Sequence, residues 1–134
     1  MYKLNKEKHI MYTYKLFQIT LSDADIDTIN ANGHDSVPKQ KAKIGMMFDN
    51  NIGKKAFSAF EDGHYTHVAN ITADGLDSVF RIGNIGPESK IERIVPMHSV
   101  SVADVIEDLR GIKYVVADAG FQIVCNREEG SSII

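Results

Sequence analysis

The sequence predicts an α+β fold: a single domain with a mixed or mainly antiparallel sheet and two main helices packed on one face. Three observations carry that expectation. Short runs of aromatic and branched residues recur along the chain, and two pairs of them are joined by turn signals. Two stretches combine helix-start chemistry with apolar residues at helical offsets. The length, 134 residues and 14.9 kDa, suits one domain and leaves no room for a second.

The first strand is expected at Tyr12–Ile19, buried on both faces near its end. Leu21-Ser22-Asp23-Ala24-Asp25-Ile26 then starts a helix. Ser22 and Asp25 have capping-box spacing, Leu21 and Ile26 that of a hydrophobic staple, and Asn32-Gly33 ends the helix. Residues 33–41 read as a polar loop in which Pro38 excludes regular helix. A strand follows at Ile44–Phe48, then an Asn-rich turn and a short helix over 54–61 with Ala56, Phe57 and Phe60 on one side.

Tyr65–Thr72 and Leu76–Ile82 read as two strands joined by Ala73-Asp74-Gly75, a hairpin signal, with a short run at Ile91–Val95 beyond. A second capped helix is expected from Ser101, with Asp104 at its third position. Its apolar stripe is Val102, Val105, Ile106 and Leu109, and Arg110-Gly111 closes it. Ile112–Ala117 and Phe121–Cys125 complete the chain as a hairpin. The predicted order is β-α-β-(α)-β-β-β-α-β-β. Residues 1–10 form a flexible or extended arm, 11–125 the domain and 126–134 a tail. Met11 is an alternative start to Met1.

The chemistry is sparse. One cysteine, Cys125, excludes an intramolecular disulfide and reads as a buried structural thiol, which suits the cytoplasm. No segment has the length and apolarity of a membrane span, and the N-terminal region has no signal-peptide core. Gly83 and Gly86 lack dinucleotide-fingerprint spacing. Asp49-x-Asn51-x-Gly53 fails as a calcium loop, because Lys54 and Phe60 occupy the sixth and twelfth positions. No metal or cofactor is expected.

His64 and His67 are the candidate reactive pair, with Glu61 as a carboxylate able to orient an imidazole. Their odd separation puts them on opposite faces of a strand. Charge is more informative. Lys39, Lys41, Lys43, Lys54 and Lys55 gather in one stretch, with Lys41 and Lys43 on one strand face, while Asp104, Glu107 and Asp108 form an acidic helix face. Such segregation suits recognition of a protein by complementary charge. The net charge of -3 disfavours a general nucleic-acid binder and leaves only a local lysine patch for that role.

The segment Met11-Tyr-Thr-Tyr-Lys-Leu-Phe-Gln-Ile-Thr-Leu-Ser-Asp, with the Asn-Ala-Asn-Gly run ending at Gly33, resembles small accessory proteins of large tailed bacteriophages. The resemblance covers about the first third of the chain, carries over no functional residue, and implies a small host-directed protein working in the host cytoplasm. The leading expectation is a noncatalytic interaction module that binds and modulates a host protein. Its contacts would be the five lysines or the acidic residues 104, 107 and 108, and edge-strand pairing would allow a homodimer. The alternatives are a small enzyme or ligand-binding protein using His64, His67 and Glu61, and a nucleic-acid binder using the lysines.

Overall fold

The computed structural model describes residues 2–4 and 10–126. The chain runs β1 (Tyr2–Leu4), β2 (Ile10–Gln18), α1 (Asp23–Asn32), α2 (Pro38–Met46), α3 (Ile52–Glu61), β3 (Thr66–Ala73), α4 (Leu76–Ile85), β4 (Ile91–Arg93), β5 (Val105–Glu107), β6 (Lys113–Val116) and β7 (Phe121–Ile123). Its strands form one sheet in the order β4-β3-β2-β5-β6-β7, every described pairing is antiparallel, and β1 adds to β2. Of the expected arm, Tyr2–Leu4 is extended and paired. The tail from residue 127 lies outside the described residues.

β2 is the spine of the sheet, and alternation along it sorts the core into two layers. Tyr14 and Leu16 point to one face, where they meet Ile71 of β3, Ile106 of β5 and Leu76, Val79 and Ile82 of α4. Phe17 and Ile19 serve the other face, with Val105, Val115, Met46 of α2 and Ile52, Ala56 and Ala59 of α3. At the Leu16/Phe17 step the register shifts: Leu16 pairs with Ala69 and Phe17 with His67, so Val68 is the extra residue of a bulge. The carbonyl of Val68 accepts from both Ile94 and Val95, at 2.8 and 3.2 Å, and turns the chain after β4.

Both faces of the sheet are therefore covered, which corrects the expected architecture. Four helices of nine or ten residues are present instead of two main ones, with α4 on one face and α2 and α3 on the other. Three local readings are overturned with it. Pro38 opens α2 rather than excluding helix, because the first helical position needs no N–H donor. The residues read as a strand at 44–48 are the end of that helix and its turn, with Met46 buried and Phe48 87% exposed. Leu76–Ile82 is helical as well, and Leu76, Val79 and Ile82 are its buried stripe.

A fourth correction concerns Ser101. No helix starts there. Ser101 N–H donates to Asp104 Oδ2 at 3.0 Å, which is one half of a capping box, but Asp104 N–H returns to Ser101 O at 3.1 Å and closes a tight turn. Ala103 takes φ 82° in that turn. Val105 and Ile106 then bury on opposite faces of a central strand, where two covered faces erase polar alternation. The β2, α3 and β3 expectations agree with the observed elements within a few residues, as do the β6–β7 hairpin and the capped α1. Ser22 and Asp25 make both bonds of the capping box, and Gly33 has φ 93°. Burying no residue, α1 rests on these caps, each worth about 1 kcal/mol.

α3 packs closest at its start. A Cβ on Gly53 would lie 2.3 Å from the backbone oxygen of Ile123 in β7, whereas a Cβ on Gly45, inside α2, would meet nothing within 4 Å. Gly53→Ala should cost about 2 kcal/mol or more, since backbone must move. Gly45→Ala should instead gain about 0.5 kcal/mol from helix propensity. Urea denaturation of both variants beside the wild type checks the opposite signs.

Candidate binding site

A groove of about 840 Å³ separates α2 from α3. Lys41, Ala42, Ile44 and Gly45 line it from α2, and Lys54, Lys55, Ser58 and Ala59 from α3. His64 lies just beyond α3, and Asp35, Asp49 and Asp62 also line the groove. Three of the five candidate lysines therefore meet in one concavity. Across residues 38–60 five lysines stand against one carboxylate, Asp49.

The lysines are not equivalent, because a helix puts Lys39 and Lys43, four residues apart, on one side and turns Lys41 away, where a strand would have aligned Lys41 with Lys43. Lys39 pairs with Asp25 of α1 at 3.1 Å, Lys55 with Asp49 at 3.5 Å, and Lys43 lies close enough to Asp104 to stabilise its charge. Lys41 is exposed and makes no ion pair among the described residues. The lip beside it is apolar. Ile44 is 37% exposed, and Met47 and Phe48 continue the exposed surface directly after α2.

The proposed histidine chemistry does not assemble. His64 faces the groove with Nε2 4.0 Å from Asp62, and its N–H donates to Ala59 O. His67 instead lies against the Phe17 ring, 5.1 Å between centroids, and its Nε2 donates to Asn70 Oδ1 at 2.8 Å. Asn70 in turn donates to Glu92. Glu61 is exposed at the end of α3. Among the described residues no group of three or more His, Cys, Asp and Glu is placed to hold a metal, and no helix is long and apolar enough to cross a membrane. Cys125 is half-buried, its N–H directed at Gly53 O.

The acidic trio shares no face either. Glu107 pairs with Lys113 at 3.4 Å across the β5–β6 ladder. Asp104 is buried with Gln18: Gln18 Nε2 donates to Asp104 Oδ2 at 3.0 Å and to His98 O at 2.9 Å, while Gln18 Oε1 accepts from His98 N–H. The second oxygen, Oδ1, is buried without a hydrogen bond. Burial pushes Asp104 up to about 6, against the lowering effect of the Ser101 and Gln18 bonds and of the His98 and Lys43 charges.

Asp108 stands in the β5–β6 turn and organises a second, smaller cavity of about 320 Å³ lined by Tyr12, Tyr14, Asp108, Leu109 and Arg110. Its Oδ1 accepts from the N–H groups of Arg110 and Ile112, and its Oδ2 from the Arg110 guanidinium and the Tyr114 hydroxyl. Burial raises the Asp108 pKa, but these bonds outweigh it and hold the carboxyl below its ordinary value. Burial first, then the Asp108 charge, raises Tyr14 and keeps its hydroxyl protonated. The reading of Asp108 as part of a helix face missed this cluster. Its signal was the Tyr12-Thr13-Tyr14 alternation, which puts two phenols on one face beside an Asp-x-x-Gly turn.

No protein-family model, curated protein or solved structure matches the chain.

Asp104 gives a pH dependence with a definite sign. Its folded pKa, about 6, lies above the ordinary 3.8, so its protonation favours the folded state. That stabilisation is complete below about pH 4 and is lost as pH rises through 6, a change of about 3 kcal/mol. Asp104→Asn removes the titration. The stability difference between wild type and variant, followed by denaturation from about pH 4 to pH 7, should shift toward the variant as pH rises.

Proposed function

We propose that the protein is a noncatalytic binding module whose α2–α3 groove takes an acidic segment of a partner protein with an apolar anchor. One observation carries the reading: an exposed apolar lip, Ile44, Met47 and Phe48, adjoins a groove lined by three lysines and three aspartates, in the most basic stretch of an otherwise acidic chain. A large exposed aromatic beside a concavity is the usual form of an interaction anchor, and lysines around it steer an acidic partner. Asp49 holds Lys55, whereas Lys41 is available at the rim. The resemblance to phage accessory proteins supports a host protein as the partner and the host cytoplasm as the place of action. Occlusion of the partner's surface is then the mechanism.

The enzyme alternative loses its support from geometry, since Glu61, His64 and His67 do not converge. The apolar lip, and the absence of arginine from residues 38–60, favour a protein over nucleic acid at this groove.

Affinity capture from bacterial lysate at low and high salt, using wild type, Phe48→Ser and Lys41→Glu as baits, tests the reading. One protein retained by wild type should be weakened about tenfold or more by Phe48→Ser, as expected for an anchor residue, and lost more readily with salt. Phe48 is 87% exposed, so the variant keeps its fold. Capture unchanged in both variants, nuclease-sensitive capture, or no stoichiometric partner overturns the proposal.

A further inference from the structure

The tyrosine cavity at the β5–β6 turn lies apart from the groove, and its lining residues are all different. From its geometry we infer that it is a nucleotide site, which takes one base against Tyr12 and Leu109 and the attached phosphate on Arg110.

Arg110 is the first reason. Its Nε and Nη2 are fixed on Asp108 Oδ2 at 3.2 and 2.8 Å, and Nη2 also donates to the Tyr114 hydroxyl at 3.0 Å. Nη1 makes no hydrogen bond among the described residues, and the side chain is 70% exposed. A guanidinium held on one edge and open on the other is a preorganised anion receptor. Asp108 pairs with this guanidinium and offsets its charge, so an anion would be held by the donor geometry of the open Nη1 edge rather than by net positive charge.

The walls supply the second reason. Tyr12 and Tyr14 share one face of β2, while Leu109 projects from the turn and is 54% exposed. An aromatic ring and an aliphatic side chain on a shallow cavity offer the flat, apolar contacts that suit a planar ring. Tyr14 is 8% exposed, lines the cavity and has no hydrogen-bond partner on its hydroxyl among the described residues. That hydroxyl is available to a base edge or ribose. Asp74, on the α4 side of Tyr14, is engaged by the Ser78 hydroxyl. The volume, about 320 Å³, falls at the small end of ligand pockets and suits one nucleotide unit.

The same unit occurs as a free mononucleotide or within a single strand. Amide-resolved NMR titrations of the full chain with adenosine monophosphate, uridine monophosphate, the two nucleosides, ribose phosphate and a short oligothymidylate separate these sources. Saturable shifts are expected at Tyr12, Tyr14 and Leu109–Ile112, about tenfold weaker for the nucleosides and for ribose phosphate than for the mononucleotides. Arg110→Gln should weaken binding about tenfold while the spectrum stays dispersed, and Tyr14→Phe should weaken it several-fold. Tighter, salt-sensitive binding of the oligonucleotide assigns the site to a strand, and equal affinity assigns it to the free nucleotide. The inference is overturned by no saturable shift with any probe up to about 5 mM, or by shifts that Arg110→Gln leaves unchanged.

Discussion

The amide of Gln18 is the tie on which the second half of the fold depends. It sits fully buried at the end of the central strand and joins three backbone or side-chain groups eighty or more residues away: His98 N–H, His98 O and Asp104 Oδ2. A buried amide left without these partners would cost more than the bonds return, so the segment around residues 98–104 has one acceptable position. That position sets where β5 enters the sheet, against Lys15–Phe17 of β2. β6 and β7 then follow by hairpin pairing. α3 finds its floor on them: Gly53 meets the β7 backbone, and Gln122 caps the start of α3 by accepting from Gly53 N–H at 3.0 Å. One side chain thus connects the spine of the sheet to the helix that walls the groove.

What the sequence made legible was local chemistry with a single outcome. Ser22-x-x-Asp25 before apolar residues and Asn32-Gly33 after them define α1, although this helix buries nothing. Alternation through Tyr12, Tyr14 and Leu16 defines β2, and Asp118-Ala119-Gly120 lies between the two strands of the last hairpin. What failed were apolar runs whose period depends on what covers them. Val102, Val105, Ile106 and Leu109 have helical offsets, yet β5 is flanked by strands on both sides and covered on both faces, so Val105 and Ile106 both bury in an extended chain. At Leu76–Ile82 the offsets of Leu76, Val79 and Ile82 were helical too, and the Asp-Gly pair before them started a helix rather than a hairpin.

The candidate surfaces divide along the same line. Composition revealed that residues 38–60 are basic, because charge needs no fold to be counted. It did not reveal which lysines meet, because Lys39, Lys41 and Lys43 point to one side of a strand, whereas a helix turns Lys41 away from Lys39 and Lys43. One bonds Asp25, one rims the groove, and one faces buried Asp104. The acidic trio failed for the opposite reason: with the helix replaced by a turn, a strand and a second turn, its members entered three unrelated environments.

The covering of both sheet faces also explains where concave surfaces are left. A sheet open on one side would expose a broad flat face, but here α4 takes one side and α2 and α3 the other. Two of the hollows among the described residues lie where a cover ends or two covers part. The α2–α3 groove is a parting of covers, and its exposed aromatic lies on the turn that joins them. The tyrosine cavity is an end of cover, where β5 gives way to its turn beside Tyr12 and Tyr14 of β2. Both hollows border turns braced by aspartate side chains, Asp49 bonding the N–H of Asn51 and Asp108 those of Arg110 and Ile112. Each turn thus holds a side chain proposed for recognition, Phe48 or Arg110, on backbone fixed by its own carboxylate.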